Sequence, residues 1–222
     1  MTRALIAALA VVLAGAVAQA HGGRDAITWN REVSRIVYDK CASCHRPEGT
    51  AFSLMTFADA QPRATAIKDA VLARRMPPWG AVKGFGHFRN DQSLSQEQIE
   101  LITKWVDGGI RRGNNPGMLP KPPVFDAKAA TPVPKSGLRV SGTVTLEHAM
   151  RLDGLMPERL GPGRSLQIVA ILPTGRIEPL AWLHDWDSRY RHPLLFRQVI
   201  ELPAGTVIRG IPVDAVVTFF PA

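Results

Sequence analysis

Cysteine is scarce in this chain: its 222 residues contain two, Cys41 and Cys44. Any chemistry that needs a pair of thiols uses both and leaves none over. A zinc site would require further Cys or His ligands at close spacing, and only scattered histidines follow. Dense Lys/Arg runs are missing as well. The formal charge is +8, yet no basic run is compact enough to form a nucleic-acid-binding arm. That charge either steers the chain toward an acidic partner or reflects composition alone. There is no internal repeat, and the apolar run from Ala4 to Val17 is short for a membrane span.

What is present begins with a leader. Met1-Thr2-Arg3 supplies a positive start, Ala4 to Val17 an apolar centre, and Ala18-Gln19-Ala20 a small-x-small cleavage site. The pattern predicts a secretory signal peptide over residues 1–20, a mature chain starting near His21, and a periplasmic location with no stable membrane span. The charge becomes +7 once Arg3 is removed.

The two cysteines sit in Cys41-Ala42-Ser43-Cys44-His45, the attachment signature of a c-type haem. Two thiols at this spacing add to the two vinyl groups on one edge of the porphyrin. The next residue, His45, is then held under the ring, where its imidazole can bind iron. A thioredoxin-like dithiol, half a zinc site and a structural disulfide compete for the same residues. The dithiol expects a βαβ setting, which the flanking sequence does not offer. Export agrees with haem attachment, because c-type cytochromes mature outside the bacterial inner membrane.

The predicted fold class is α+β in two domains, an all-α cytochrome c domain over 21–113 followed by a small β-sandwich-like domain over 137–222. A proline-rich linker, 114–136, joins them; it holds Pro116, Pro120, Pro122, Pro123, Pro132 and Pro134. In the first half, Trp29, Val33, Ile36 and Val37 mark one helix, with Thr28 or Asn30 as its cap. Phe57, Ala60, Ala64, Ile67 and Val71 mark a second that ends near Arg74-Arg75. Ser95 opens a third, striped by Ile99, Ile102, Trp105 and Val106 and stopped by Gly108-Gly109. The second half predicts strands at 138–146, 165–172, 177–184, 195–202, 206–210 and 213–220, separated by turns such as Pro173-Thr174-Gly175.

A six-coordinate haem iron needs a distal ligand, and Met76 is the candidate. It stands in Arg74-Arg75-Met76-Pro77-Pro78-Trp79, where two prolines stiffen the backbone. A neutral thioether favours ferrous iron and raises the reduction potential. Met76 as packing against the porphyrin stays open. His87 is the rival ligand, in a glycine-rich loop where Arg89 either meets a haem propionate or is solvated. Met55 reads as packing; Met118, Met150 and Met156 look remote.

Taken together, Cys44-His45-Arg46-Pro47, Met76-Pro77-Pro78-Trp79, His87-Phe88-Arg89-Asn90-Asp91 and the closing Trp105-Val106-Asp107-Gly108-Gly109 resemble a bacterial monohaem cytochrome c family. Such domains often precede a region similar to copper type II, ascorbate-dependent monooxygenases. The resemblance implies a cytochrome c fold with one covalent haem, His45 proximal and Met76 distal. Trp182-Leu183-His184-Asp185-Trp186-Asp187 and Leu202-Pro203-Ala204-Gly205-Thr206 resemble the last strands of the monooxygenase-like sandwich. The copper site of those enzymes uses a His-x-His pair, and this chain has none; His148, His184 and His192 are isolated. The second half therefore reads as a copper-free remnant or adaptor. Trp182, Trp186 and Tyr190 read as core-side aromatics, with docking as the other reading, and Asp185 and Asp187 as turn carboxylates.

The leading expectation is a periplasmic electron carrier that passes single electrons through the haem to a redox partner, with no substrate transformed. The alternatives are a haem-containing subunit of a periplasmic oxidoreductase and a haem-based sensor.

Overall fold

The computed structural model describes residues 26–125, 133–134, 136–161 and 163–222. The leader predicted over 1–20 and most of the stretch from 126 to 135 lie outside the described residues. The chain divides into two compact units: residues 1–68 with 96–123, and residues 69–95 with 124–222.

In the first unit Thr28 is the helix cap. Its hydroxyl accepts from the Arg31 N–H at 3.3 Å, and its own N–H donates to Glu32 Oε2 at 2.9 Å. A π-helical turn, Trp29–Val33, runs into α1 (Ser34–Lys40). The second predicted helix forms in pieces: α2 (Phe57–Ala60), a 3₁₀ turn at Gln61–Arg63, and α3 (Ala64–Leu72). Pro62, which has no N–H to give, stands where the regular ladder breaks. The third is α4 (Gln96–Asp107). Trp29 and Trp105 meet with ring centroids 6.0 Å apart, and both donate to the Arg111 carbonyl, at 2.9 Å from the Trp29 backbone and 3.0 Å from the Trp105 indole. Val33, Val37, Leu54, Ala60 and Ala64 complete this small core.

The second unit is built on two antiparallel four-stranded sheets. Its strands are β1 (Leu138–Val140), β2 (Val144–Thr145), β3 (Met150–Arg159), β4 (Leu166–Ile171), β5 (Ile177–Leu183), β6 (Leu194–Leu202), β7 (Val207–Arg209) and β8 (Val216–Pro221). The orders are β1-β8-β3-β6 and β2-β7-β4-β5, and one shared core lies between the sheets. The predicted strand 138–146 is two strands in two sheets. The chain switches sheets at Gly142, whose φ of 73° lies in the left-handed region. The sequence pattern missed β3, which lies between β8 and β6. Gly154 and Pro157 interrupt its alternation, and the register shifts beside both.

An all-α cytochrome c domain followed by a separate sandwich is not what forms. Among the described residues the helices are short, the longest having 12 residues, and antiparallel sheet is prominent in the architecture. The decisive segment is residues 79–91, assigned above to the helical domain. It belongs to the β-rich unit and pairs with the edge strands of both sheets. The Val82 N–H donates to the Trp182 carbonyl and the His184 N–H to the Gly80 carbonyl, both at 2.8 Å, along β5. The Arg89 N–H donates to the Leu195 carbonyl at 2.8 Å and the Arg197 N–H to the His87 carbonyl at 2.7 Å, along β6. Edge strands carry unpaired backbone groups, and this segment satisfies part of both rows. Trp79, Ala81 and Phe88 are buried with the sandwich core.

Candidate functional site

Cys41 is the C-terminal cap of α1, and its N–H donates to the Val37 carbonyl at 2.9 Å. The helix then tightens into a turn: the Cys44 and His45 N–H groups both donate to the Cys41 carbonyl, at 3.2 and 2.9 Å. The motif is thus a single turn that carries both thiols and the imidazole. Cys44 is exposed, Cys41 is partly covered, and neither is in a disulfide.

The electrostatics argue against a redox dithiol. Burial pushes the Cys41 thiol up to about 12, with smaller contributions from Asp39 and Cys44. A reactive thiolate needs the opposite shift, and it gains stabilisation at a helix N-terminus rather than at the C-terminal end where Cys41 stands.

A tight loop after the turn fixes His45. The Ala51 N–H donates to the Cys44 carbonyl at 3.2 Å and the Leu54 N–H to the His45 carbonyl at 3.1 Å. His45 Nδ1 lies 2.9 Å from the Phe52 carbonyl. A carbonyl only accepts, so Nδ1 carries the proton and the Nε2 lone pair is left free for a metal. The Phe52 ring packs edge-on against the imidazole, 4.7 Å between centroids, and is itself 54% exposed. The loop is further held by the Tyr38 hydroxyl, which donates to the Met55 carbonyl at 3.0 Å.

Gly49 is the tightest point of this loop. A Cβ built there would lie 2.2 Å from the Cys44 carbonyl oxygen. Gly49→Ala is therefore expected to push the loop off the motif and to cost about 1–3 kcal/mol, read by urea unfolding. The Phe52 amide resonance should shift with it; an unchanged midpoint and spectrum would show that the loop tolerates the added carbon.

Cys41, Cys44 and His45 share one turn of the first unit, whereas Met76 and His87 belong to the second. Met76 follows α3 in a turn in which its N–H donates to the Ala70 carbonyl at 3.3 Å. His87 is exposed beside an open cavity of about 300 Å³ that Lys83, Asp91 and Arg197 also line. Arg89 is exposed but already engaged. Its guanidinium makes a two-point bond to Asp153, 2.8 Å at each oxygen, and also donates to the Phe196 carbonyl at 2.6 Å. Those bonds to Arg89 hold the Asp153 carboxyl below the usual range. Asn90 takes both sides of the β6 entrance, donating to the Pro193 carbonyl at 2.8 Å and accepting from the Leu195 N–H at 3.1 Å. His87-Phe88-Arg89-Asn90-Asp91 is thus a clamp onto the sandwich.

Comparison with known protein families, curated proteins and solved structures found no match. The site is accordingly read from its own residues.

The histidines of the second half are dispersed. His148 lies in a turn before β3, and His184 directly after β5. His192 stacks on Trp79 at 4.8 Å and touches Trp186 at 5.2 Å, with Nδ1 2.7 Å from the Tyr190 carbonyl; burial lowers its pKa. Among the described residues no group of three or more His, Cys, Asp or Glu comes together to hold a metal ion by protein ligands alone. Trp186 is buried over Gly80, where a Cβ would meet its ring at 2.7 Å, whereas Tyr190 is 42% exposed. Asp187 accepts from the Arg189 guanidinium and from its backbone N–H, as a turn carboxylate does. No helix among the described residues is long and apolar enough to cross a membrane.

Sequence reasoning missed Gly49, Phe52, Asp59 and Arg63. Thr56 and Asp59 form a reciprocal cap at the start of α2, and that spacing of threonine and acid was the available signal.

Proposed function

We propose that this chain is an exported haem protein that carries single electrons, with one haem attached through Cys41 and Cys44 and ligated by His45. The observation that carries this reading is the Nδ1 bond to the Phe52 carbonyl, which leaves Nε2 to a metal on a turn that also carries Cys41 and Cys44. Metal-ligating histidines are oriented this way, with the second nitrogen engaged by a carbonyl or carboxylate. The residues present fit the group: reduced thiols in one turn, a fixed imidazole, and an exposed aromatic surface at Phe52. The motif resemblance noted above adds to the same reading.

Bound haem would supply a metal centre that cycles between ferric and ferrous states. The chain's own contributions are local. The α1 C-terminal turn sets the separation of the two thiols. The 45–54 loop holds the imidazole in the tautomer that leaves Nε2 to a metal. Met76 is proposed as the residue that would lend the iron a thioether, and the partner as an acidic redox protein met in the periplasm.

The test is the full chain exported from cells that have a working haem-attachment machinery. Haem is expected to remain with the polypeptide after denaturing electrophoresis, with a pyridine spectrum of two thioether bonds. A colourless chain would sink the reading. Met76→Ala is expected to lower the reduction potential or to open the iron to carbon monoxide. An identical spectrum and potential would remove Met76 as a ligand.

A further inference from the structure

Phe52 is an exposed aromatic held between two other groups. On one side is the His45 imidazole; on the other the Arg63 guanidinium lies 4.7 Å from the ring centroid. Both separations are 4.7 Å, so guanidinium and imidazole lie within about 9.4 Å of each other. Arg63 is fixed in turn, since its Nη1 donates to the Asp59 carbonyl at 3.0 Å. Asp59 is the most connected side chain of this segment. Its carboxylate accepts from the Ser53 hydroxyl at 2.8 Å and from the Thr56 N–H at 3.1 Å, which sets the entry to α2. Ser53 follows Phe52 directly. The same short network therefore holds the residue whose carbonyl binds His45 and the cation that covers that residue's ring.

Cation–aromatic contacts at partly exposed sites favour one ring position over solvated alternatives. Arginine suits the role because its planar guanidinium lies flat on a ring, which an ammonium cannot do. It also stays charged at every relevant pH.

We infer that Arg63 is a positioning residue for the haem ligand His45: it clamps Phe52, thereby fixes the Nδ1–H bond, and sets a permanent positive charge within about 9.4 Å of the imidazole, which would favour the ferrous state of a haem held there. This rests on the haem reading above. The two parts of the role separate experimentally, because the clamp acts on the imidazole and the charge acts on the redox equilibrium.

The full chain is prepared with haem and without it, as native protein, Arg63→Gln and Arg63→Lys. In the haem-free chain the side-chain nitrogen resonances of His45 report the tautomer. In the haem-loaded chain, the midpoint potential reports the ferric/ferrous equilibrium. A unit charge at this range, in partly solvated surroundings, is worth a factor of about three in that equilibrium. Arg63→Gln is expected to shift the equilibrium about threefold toward ferric, less at high salt, and to draw the two His45 nitrogen signals together as tautomers mix. Arg63→Lys is expected to restore the equilibrium but not the nitrogen pattern. If Arg63→Gln leaves either measurement as in the native chain, the inference is overturned. Should the chain take up no haem, the functional reading fails by itself, and the nitrogen spectrum alone decides whether Arg63 positions His45.

Discussion

Replacing Cys41 and Cys44 together by alanine is expected to abolish covalent haem, leaving a folded chain that keeps no haem through denaturing electrophoresis. The argument is one of bond count. The sequence holds no other thiol, so no thioether can form elsewhere. Haem would then be held by coordinate bonds alone, from His45 and the proposed Met76, and denaturing electrophoresis breaks those. Folding should survive, because neither cysteine is bridged and Cys44 is exposed. The single variants should differ from the native chain in a readable way. Each leaves one vinyl group conjugated with the ring, which moves the ferrous pyridine band to longer wavelength. The haem-free native chain should also show unequal thiols: an alkylating reagent is expected to label exposed Cys44 before Cys41, whose thiol burial has pushed up to about 12. Covalent haem persisting in the double variant would remove the motif from the site.

The second large effect concerns a residue far from that chemistry. Phe88→Ala is expected to destabilise the protein by about 3–5 kcal/mol. Phe88 is 6% exposed, stacks on Phe196 with centroids 5.4 Å apart, and meets Trp79 edge-on at 5.9 Å. Truncation removes those pairs and leaves a cavity between the two sheets. It also loosens the segment that completes β5 and β6, so edge backbone groups would be left to water. Chemical denaturation monitored by tryptophan fluorescence checks the number. Val213→Ala is the control: the side chain is 83% exposed, and a change within about 0.5 kcal/mol is expected. A cost below about 1 kcal/mol for Phe88→Ala would mean that residues 79–91 are not part of the sandwich core.

These two expectations mark how far the sequence could be read. The haem motif and the helix stripes depend on neighbours three or four residues apart. Spacing therefore placed Cys41, Cys44 and His45 in one turn and brought out Trp29 and Trp105. Several strands were legible from alternation and turn residues for the same reason. Where local pattern conflicts with position, reading fails. Met150–Arg159 contains a glycine and a proline, yet it lies between two strands, because its neighbours supply pairing that its own pattern does not advertise. Phe52 and Arg63 escaped notice because an exposed aromatic and an arginine in a turn carry no signal until one packs on His45 and the other lies over its ring.

By itself, then, the sequence determined the local chemistry: a two-thiol, one-imidazole turn and the short helices around it, all set by covalent spacing and backbone periodicity. Only the tertiary structure decided which unit owns residues 79–91, that Arg89 is spent on Asp153, and which nitrogen of His45 is free. Those outcomes depend on partners as far as 107 residues away along the chain, as in the Arg89–Phe196 bond. Unpaired strand edges and desolvated aromatic faces select such partners through backbone hydrogen bonding and burial, and no local repeat encodes that selection.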